Sequence, residues 1–350
     1  MISAIVTAYN LEKYIKICLK SLLYQTYNDI EIICIDDGST DNTSEIVREL
    51  AKTDSRVKYY RHENRGVGYS RNKGLELAKG EYVIFIDGDD WVENNLFEKA
   101  VEITQKCNSD IVVFDVLTFD NSTKLVNQQN FFETELWKNN KNRFSIHTYK
   151  DNSEICNGNY SAANKLFRRE FLVKNNIKFC ENLRFEDFLF HFQTLFLAKK
   201  INLLPEKLYY YRTNRQGSML TSLASKTNIV FDIFNILQLL EAFLKEQNLF
   251  ENLKLDFYKI KLKMYKLIFF NSNPKFRKKV FEMAQKDIKD FKLLNNDQKS
   301  LGTYLEIYKD FTIFNSTSCY IIYSLQAKYP RLNNIINTVK QVIEIGQDEI

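Results

Sequence analysis

Apolar residues in the first third of the chain arrive in two rhythms. Runs at residues 2–6, interrupted only by Ser3, and unbroken at 32–35 and 83–86 have the pattern of parallel strands buried on both faces. Between them the apolar positions move to helical spacing. Leu11, Ile15, Leu19 and Leu22 form one stripe, and Ile46, Val47 and Leu50 another, behind a start marked by Asp41 or Thr43 as cap. Residues 57–60 and 111–114 read as further strands, and residues 69–78 and 96–104 as further helices. Strands alternating with helices need right-handed crossovers, so residues 1–115 are predicted to be α/β, a doubly wound, mostly parallel sheet with flanking helices.

The rhythm changes twice more. Residues 120–220 are mixed, with Asn-rich connectors at 121–130 and 139–142. Beyond residue 225 come long helical stretches rich in Lys, Phe, Leu and Asn. Ile260, Met264, Leu267 and Ile268 mark one apolar face, and Lys259, Lys261, Lys263 and Lys266 lie mostly off it. A boundary is expected at residues 222–226, which divides the chain into residues 1–222, with halves 1–115 and 116–222, and an α-helical region 223–350. No internal repeat is present.

Composition narrows the class. At 350 residues and 45% apolar content the chain can bury a sizeable core, and ten Gly and three Pro leave few loops. The net charge of +5 is spread along the chain beside acids, which is no nucleic-acid footprint. Cys18, Cys34, Cys107, Cys156, Cys180 and Cys319 form no CxxC pair and no ligand spacing with His62, His147 and His191, so buried thiols of a reducing cytosol are expected. The chain starts directly in a strand, with no room for a signal peptide, and no apolar run approaches the roughly 18 residues of a membrane span. A cytoplasmic protein is expected, either soluble or peripheral on the inner face of the membrane.

Two of the apolar runs end in acids: Asp36-Asp37-Gly38-Ser39-Thr40-Asp41 and Asp87-Gly88-Asp89-Asp90. Open α/β sheets bind ligands beyond the carboxyl ends of their strands, and carboxylates within about 4–6 Å raise one another's pKa unless a cation sits among them. A divalent metal on phosphate chemistry follows as one reading. The plainer alternative for Asp87-Gly88-Asp89 is a solvated turn, with Asp89 or Asp90 capping the helix after Val92. Asp36-Asp37 either accepts from a base or ribose or caps a helix. Gly66-Val67-Gly68 is followed by Arg71 where a dinucleotide fingerprint needs its third Gly, so Arg71 is a cation for base or phosphate, or a surface arginine. Phe185-Glu186-Asp187-Phe188-Leu189-Phe190 either buries an acid of raised pKa or is a helix with Phe185, Leu189 and Phe192 inward and its acids in solvent.

The order of these pieces resembles the family 2 glycosyltransferases. The resemblance is carried by Val6-Thr7-Ala8-Tyr9-Asn10, Asp36 to Asp41, Ser70-Arg71-Asn72-Lys73-Gly74-Leu75 and Gly80 through Trp91. It continues in Asn164-Lys165-Leu166-Phe167-Arg168, Phe185 to Phe190, Tyr210-Tyr211-Arg212 and Gly217-Ser218. It covers residues 1–220 and implies a GT-A fold and an inverting transfer from a nucleotide-diphosphate sugar, with residues 1–115 as the nucleotide-binding half and 116–222 as the acceptor and base half. By the same resemblance Asp37 meets the base, Thr7, Tyr9 and Arg71 line the nucleotide pocket, and Asp87 meets ribose or metal. Asp89 holds Mn2+ or Mg2+ on the diphosphate, Asp187 is the catalytic base, Glu186 positions it or touches the acceptor, and Arg212 faces the diphosphate.

An inverting displacement needs one carboxylate role at the metal and one free on the opposite face, which suits acids in two clusters. The implied partners are a UDP-sugar and a saccharide or lipid-linked acceptor of bacterial surface-glycan synthesis, with no nucleic acid. Two other functions compete: a phosphohydrolase with a phosphorylated aspartate, which wants Thr or Val where Asp90-Trp91 stands, and a non-catalytic scaffold that keeps the fold. The Lys- and Phe-rich region 223–350 either docks on anionic lipid or packs as a helical bundle against the catalytic domain or in a homodimer.

Overall fold

In the computed structural model the described residues are 1–127, 140, 142–151, 155–156, 158–215, 229–291, 301 and 307. They fall in two compact units, Met1–Gln216 and Gly217–Ile350. The expected boundary at 222–226 and the Gly217-Ser218 pair lie outside the described residues.

The first unit starts with β1 (Ile2–Ala8), α1 (Ile15–Leu23), β2 (Ile30–Asp36), α2 (Thr43–Thr53), β3 (Val57–Arg61), α3 (Val67–Leu77) and β4 (Tyr82–Asp87). Then come β5 (Trp91–Val92), α4 (Leu96–Cys107), β6 (Ile111–Asp120), β7 (Val126–Asn127), β8 (Ile146–His147), β9 (Lys165–Arg168), α5 (Arg169–Lys174), α6 (Glu186–Leu197) and β10 (Ile201–Thr213). Every residue of β1 and β2 is buried, as strands covered on both faces require, Ser3, Thr7, Glu31 and Asp36 included. The sheet order is β3-β2-β1-β4-β9-β6-β10-β5. The pairs of β1 with β2 and β4, of β2 with β3 and of β6 with β10 are parallel.

Among the described residues four strands depart from a parallel arrangement: the two-residue β5, β7 and β8 are antiparallel to their neighbours, and β9 is antiparallel inside the sheet. β9 runs antiparallel between β4 and β6, pairing Ile84 with Leu166 and Val113 with Lys165. It therefore delivers its first residue, Lys165, toward the end of β4 where the acids stand. Two close approaches set the geometry there. A Cβ on Gly88 would lie 2.7 Å from the Thr7 carbonyl, so only glycine lets the turn after β4 hug β1. A Cβ on Gly74 would lie 2.2 Å from Ile5 Cγ2, so glycine also lets α3 sit on the sheet.

The second unit contains α7 (Asp232–Glu246), α8 (Phe250–Asn271) and α9 (Pro274–Lys289). On α8 the apolar face is not the expected one. Leu267 is 48% exposed, whereas Lys261 is 3% exposed, with Nζ donating to Glu241 at 3.2 Å and to both Asp287 oxygens at 2.9 Å. Buried Phe257, Met264, Tyr265 and Ile268 all lie within about 60° of Lys261 on a helical wheel, while Leu267 lies about 120° away. The buried arc is centred on a lysine, which two acids from neighbouring helices neutralise. No described helix is long and apolar enough to cross a membrane.

Candidate active site

The carboxyl ends of β1, β2 and β4 lie side by side, because their registers pair Ala8 with Asp36 and Thr7 with Asp87. Asp36 is fully buried and accepts from the Ser39 amide at 2.8 Å, the Ser44 hydroxyl at 2.5 Å and the Tyr59 hydroxyl at 2.8 Å. Burial pushes its carboxyl up, but these hydrogen bonds outweigh burial and hold it below the ordinary aspartate range. Asp36 is thus a clamp of the turn. Asp37 accepts from the backbone N–H groups of Arg65 at 2.7 Å and Gly66 at 3.0 Å, and His62 Nδ1 lies 3.4 Å from it. Those bonds tie the end of β2 to the start of α3. Thr7 is 9% exposed and Tyr9, just past β1, is 47% exposed. The cap of α2 is Asn42, not the expected Asp41 or Thr43; Asp41 stands one residue before it, its Oδ1 accepting from the Thr43 amide at 3.0 Å.

A second cluster gathers around Arg71. Its Nη2 donates to Asp87 at 2.8 Å, and its Nη1 donates to Glu186 at 2.9 Å and to Asp187. Burial disfavours the charge, yet the three carboxylates outweigh it and hold the guanidinium above its usual pKa. Glu186 and Asp187 open α6 straight after Phe185, which takes a left-handed φ of 65°. The helix keeps Leu189 and Phe192 buried as the stripe predicts, but its first-turn acids turn inward to Arg71. Burial pushes the Asp187 carboxyl up to about 7, against Arg71 and Lys165 and with help from Glu186 and Asp87.

The acids after β4 separate into distinct tasks. Asp89 pairs with Arg215. Asp90 is 1% exposed and accepts from the Tyr209 hydroxyl at 2.6 Å and the Arg212 amide at 2.7 Å. Burial, then Asp89 and Asp87, push the Asp90 carboxyl far up. Neither Asp89 nor Asp90 caps α4, which starts behind Asn95. Arg212 Nε donates to the Asp89 carbonyl at 2.7 Å and Nη1 to Asn121 at 3.2 Å, with its guanidinium 4.7 Å from the Trp91 ring and 4.8 Å from the Tyr14 ring. It braces the backbone of Asp89, and Arg215 reaches the carboxylate.

Three participants were not singled out from the sequence. Arg215 and Tyr209 stand in β10 or just past it and carried no spacing signal. Lys165 is 1% exposed, and its Nζ donates to the carbonyls of Asn159 at 3.0 Å and Ser161 at 2.6 Å and to Asn164 Oδ1 at 2.8 Å. Burial pushes its ammonium down to about 7, with Asp187 opposing, while three oxygen acceptors suit the three N–H bonds of the charged form. A lysine opening the apolar strand Lys165-Leu166-Phe167 was the available signal.

The carboxylates are thus neutralised in large part by the chain itself. Among the described residues no group of three or more His, Cys, Asp or Glu could hold a metal ion. Asp89 still fits a cation arriving with phosphate oxygens, because Mg2+ in such sites takes one or two carboxylates plus the substrate's phosphates. Burial pushes the Asp89 carboxyl up despite Arg215, so added positive charge there is stabilising.

Comparison with known proteins decides the class. Residues 3–174 match Glycosyl transferase family 2. Glycosyltransferase GlyG of Streptococcus pneumoniae is 33% identical over 237 residues, covering 63% of this chain and 73% of GlyG. The chain belongs to glycosyl transferase family 2. The Cholesterol galactosyltransferase of Borreliella burgdorferi is 33% identical over 267 residues, 73% of each chain. The putative glycosyltransferase EpsH of Bacillus subtilis is 34% identical over 215 residues, 60% of each. Staphylococcus aureus TarS 1-349, solved in complex with UDP, superposes with TM-score 0.57 and 22% identity over 100% of this chain and 92% of that one. The likeness establishes the GT-A fold, and the family makes this chain a glycosyltransferase.

Proposed function

We propose that this family 2 glycosyltransferase moves a hexose or N-acetylhexosamine from a UDP-sugar to a hydroxyl of a saccharide or lipid-linked acceptor, with inversion, in bacterial surface-glycan synthesis. The observation that carries this reading is the division of labour among the acids. Asp187 keeps a raised pKa near neutrality and partial exposure of 23%, as a general base requires, while Asp89 sits in the other cluster beside arginines. Thr7, Tyr9 and Asp37 at the ends of β1 and β2 receive the nucleotide, and Asp87 faces its ribose. Asp89 would hold Mn2+ or Mg2+, which when bound would offset the charge developing on the leaving diphosphate. Asp187 takes the acceptor hydroxyl's proton, and Glu186, sharing Arg71 Nη1 with it, fixes its direction. The UDP-GlcNAc complex of TarS supports a UDP-sugar, and the relatives' names support transfer to a glycan or lipid.

The test is a released-nucleotide assay over a panel of UDP-sugars with Mn2+. Turnover with at least one donor is expected, and no release from any donor with any saccharide or lipid acceptor would overturn the reading. For region 223–350 we favour a helical bundle over a lipid-docking surface, because Lys261 is spent on Glu241 and Asp287. Flotation of the full chain with anionic vesicles at low salt would reverse that preference.

A further inference from the structure

We propose that Lys165 is a positioning residue for the transfer step: its buried ammonium closes residues 159–164 into a turn seated on α6, and stands as a fixed positive charge facing the Asp187 carboxyl. This rests on the reading of Asp187 as the base. It gives a task to a buried lysine that no step of the proposed reaction uses.

Protonation is the first argument. Three oxygens surround Lys165 Nζ, the carbonyls of Asn159 and Ser161 and Asn164 Oδ1, at 2.6 to 3.0 Å. An ammonium satisfies all three with its three N–H bonds. A neutral amine has two N–H bonds and a lone pair, which would point at the third oxygen. The three acceptors are dipoles, however, and among the described residues no acid forms an ion pair with Lys165. A desolvated charge held by dipoles alone is a costly way to close a turn that a neutral donor could close. The carboxylate that favours the cation is Asp187.

Placement is the second. The Ser161 amide donates to Asn159 Oδ1 at 2.9 Å, the Ala163 amide to Ser161 Oγ at 3.1 Å, and Asn164 Nδ2 to the Phe114 carbonyl of β6 at 3.0 Å. The Tyr160 ring of the same turn lies 5.0 Å from the Phe188 ring and 5.7 Å from the Phe192 ring. Phe188 directly follows Asp187 in α6. The ammonium at the start of β9 thus ties the strand to a turn that packs on the helix carrying the acids.

Charge is the third. The groups facing Asp187 are Arg71 from α3, Asp87 from β4, Glu186 from α6, Lys165 from β9 and Tyr211 from β10. Arg71 is shared among Asp87, Glu186 and Asp187, whereas Asp187 is the carboxylate that acts on Lys165. Removing the Lys165 charge makes Asp187 harder to ionise, so a smaller fraction of the base is active at a given pH.

The test uses the full chain and the variants Lys165→Met, Lys165→Gln and Lys165→Arg beside Asp187→Asn, in the released-nucleotide assay with a donor that turns over. Thermal melting checks folding. Both neutral variants should bind UDP in Mn2+ within about threefold of the parent and lose about tenfold or more in kcat. The acidic limb of their pH–rate profiles should move upward by about half a unit or more. Gln keeps an N–H donor for the turn, so it should lose less kcat than Met at the same shift. Arg keeps the charge and should leave the limb in place. Amide hydrogen exchange should rise across residues 158–164 in Lys165→Met, and an unchanged rate there overturns the turn-closing role. An unmoved limb in the neutral variants, or a loss of UDP affinity beyond about tenfold, overturns the charge role. If Asp187→Asn stays fully active, the base reading fails instead; an inactive Asp187→Asn with an unmoved limb in both neutral variants sinks only the role given to Lys165.

Discussion

At the scale of the residue, the base role proposed for Asp187 and the stability of the fold pull apart. An ordinary aspartate in the unfolded chain releases its proton near pH 4, whereas in the folded protein burial holds the Asp187 proton up to about 7. Between those values the native state binds more protons than the unfolded one, so stability falls as pH rises through the interval. Above neutrality the ionised Asp187 carboxylate is a net cost to the fold. Asp187→Asn should therefore end turnover, keep UDP affinity within a few-fold, and raise stability at pH 8 by about 1–2 kcal/mol with no gain at pH 4. Chemical denaturation at the two pH values beside a turnover assay checks this, and a destabilised variant at pH 8 contradicts it. The same desolvation argument was available from Phe185-Glu186-Asp187-Phe188, but not its partner: nothing local says that Arg71, 116 residues away, would meet Asp187. Asp37 was legible as a strand-end acid, and its two backbone donors from Arg65 and Gly66 were not.

At the scale of the element, glycine placement is the sharper test of packing. Alanine is the better helix former by about 1 kcal/mol, so propensity alone says that Gly74→Ala should stabilise α3. The Ile5 Cγ2 contact at 2.2 Å says the opposite, because neither the strand nor the helix can yield that far without loss. A destabilisation of about 1–3 kcal/mol is expected, partly relieved in the double variant Gly74→Ala with Ile5→Ala, which deletes the clashing methyl. Urea unfolding of the four members of that cycle measures the coupling, and strict additivity would refute the contact. The helical bundle offers a parallel case. Lys261→Met leaves Asp287 and Glu241 facing a buried thioether and should cost about 3–5 kcal/mol, whereas Lys259→Met, at a half-buried site, should cost under about 0.5. Melting temperatures of the two variants compare them directly. Elements whose apolar pattern is local, such as β1, β2, β4 and α2, were readable in advance. β9 was not, because a four-residue strand wedged between β4 and β6 is specified by partners over 50 residues away in the chain. The arc of α8 was misread because a neutralised lysine carries no apolar signal.

At the scale of the whole first unit, the acids and arginines at the strand ends form a set paired within the chain, which the proposed donor would enter by exchange. Arg215 occupies Asp89, Arg71 occupies Asp87, Glu186 and Asp187, and Arg212 braces the Asp89 backbone. Crowded carboxylates read from sequence as a demand for metal are thus partly satisfied by arginines that no spacing rule places. Under the proposed function the demand that is left belongs to the donor, whose diphosphate would bring more negative charge to Arg215 and Asp89 than the resting set balances. Burial and Asp87 raise the Asp89 carboxyl despite Arg215, so a divalent cation beside it would relieve repulsion. UDP should accordingly bind at least about tenfold more tightly with Mn2+ than with a chelator present, a coupling of about 1.4 kcal/mol. Asp89→Asn should erase that difference while leaving the chelator affinity unchanged or slightly improved, since an acid facing the diphosphate has gone. Asp90→Asn has a separate signature. It removes a carboxyl that Tyr209 and the Arg212 amide already satisfy, so stability should change and metal coupling should survive. Calorimetric titration of UDP into the parent and both variants, with and without Mn2+, separates the two acids. Equal UDP affinity in Mn2+ and in chelator for the parent would mean that Arg215 and Arg212 carry the diphosphate unaided.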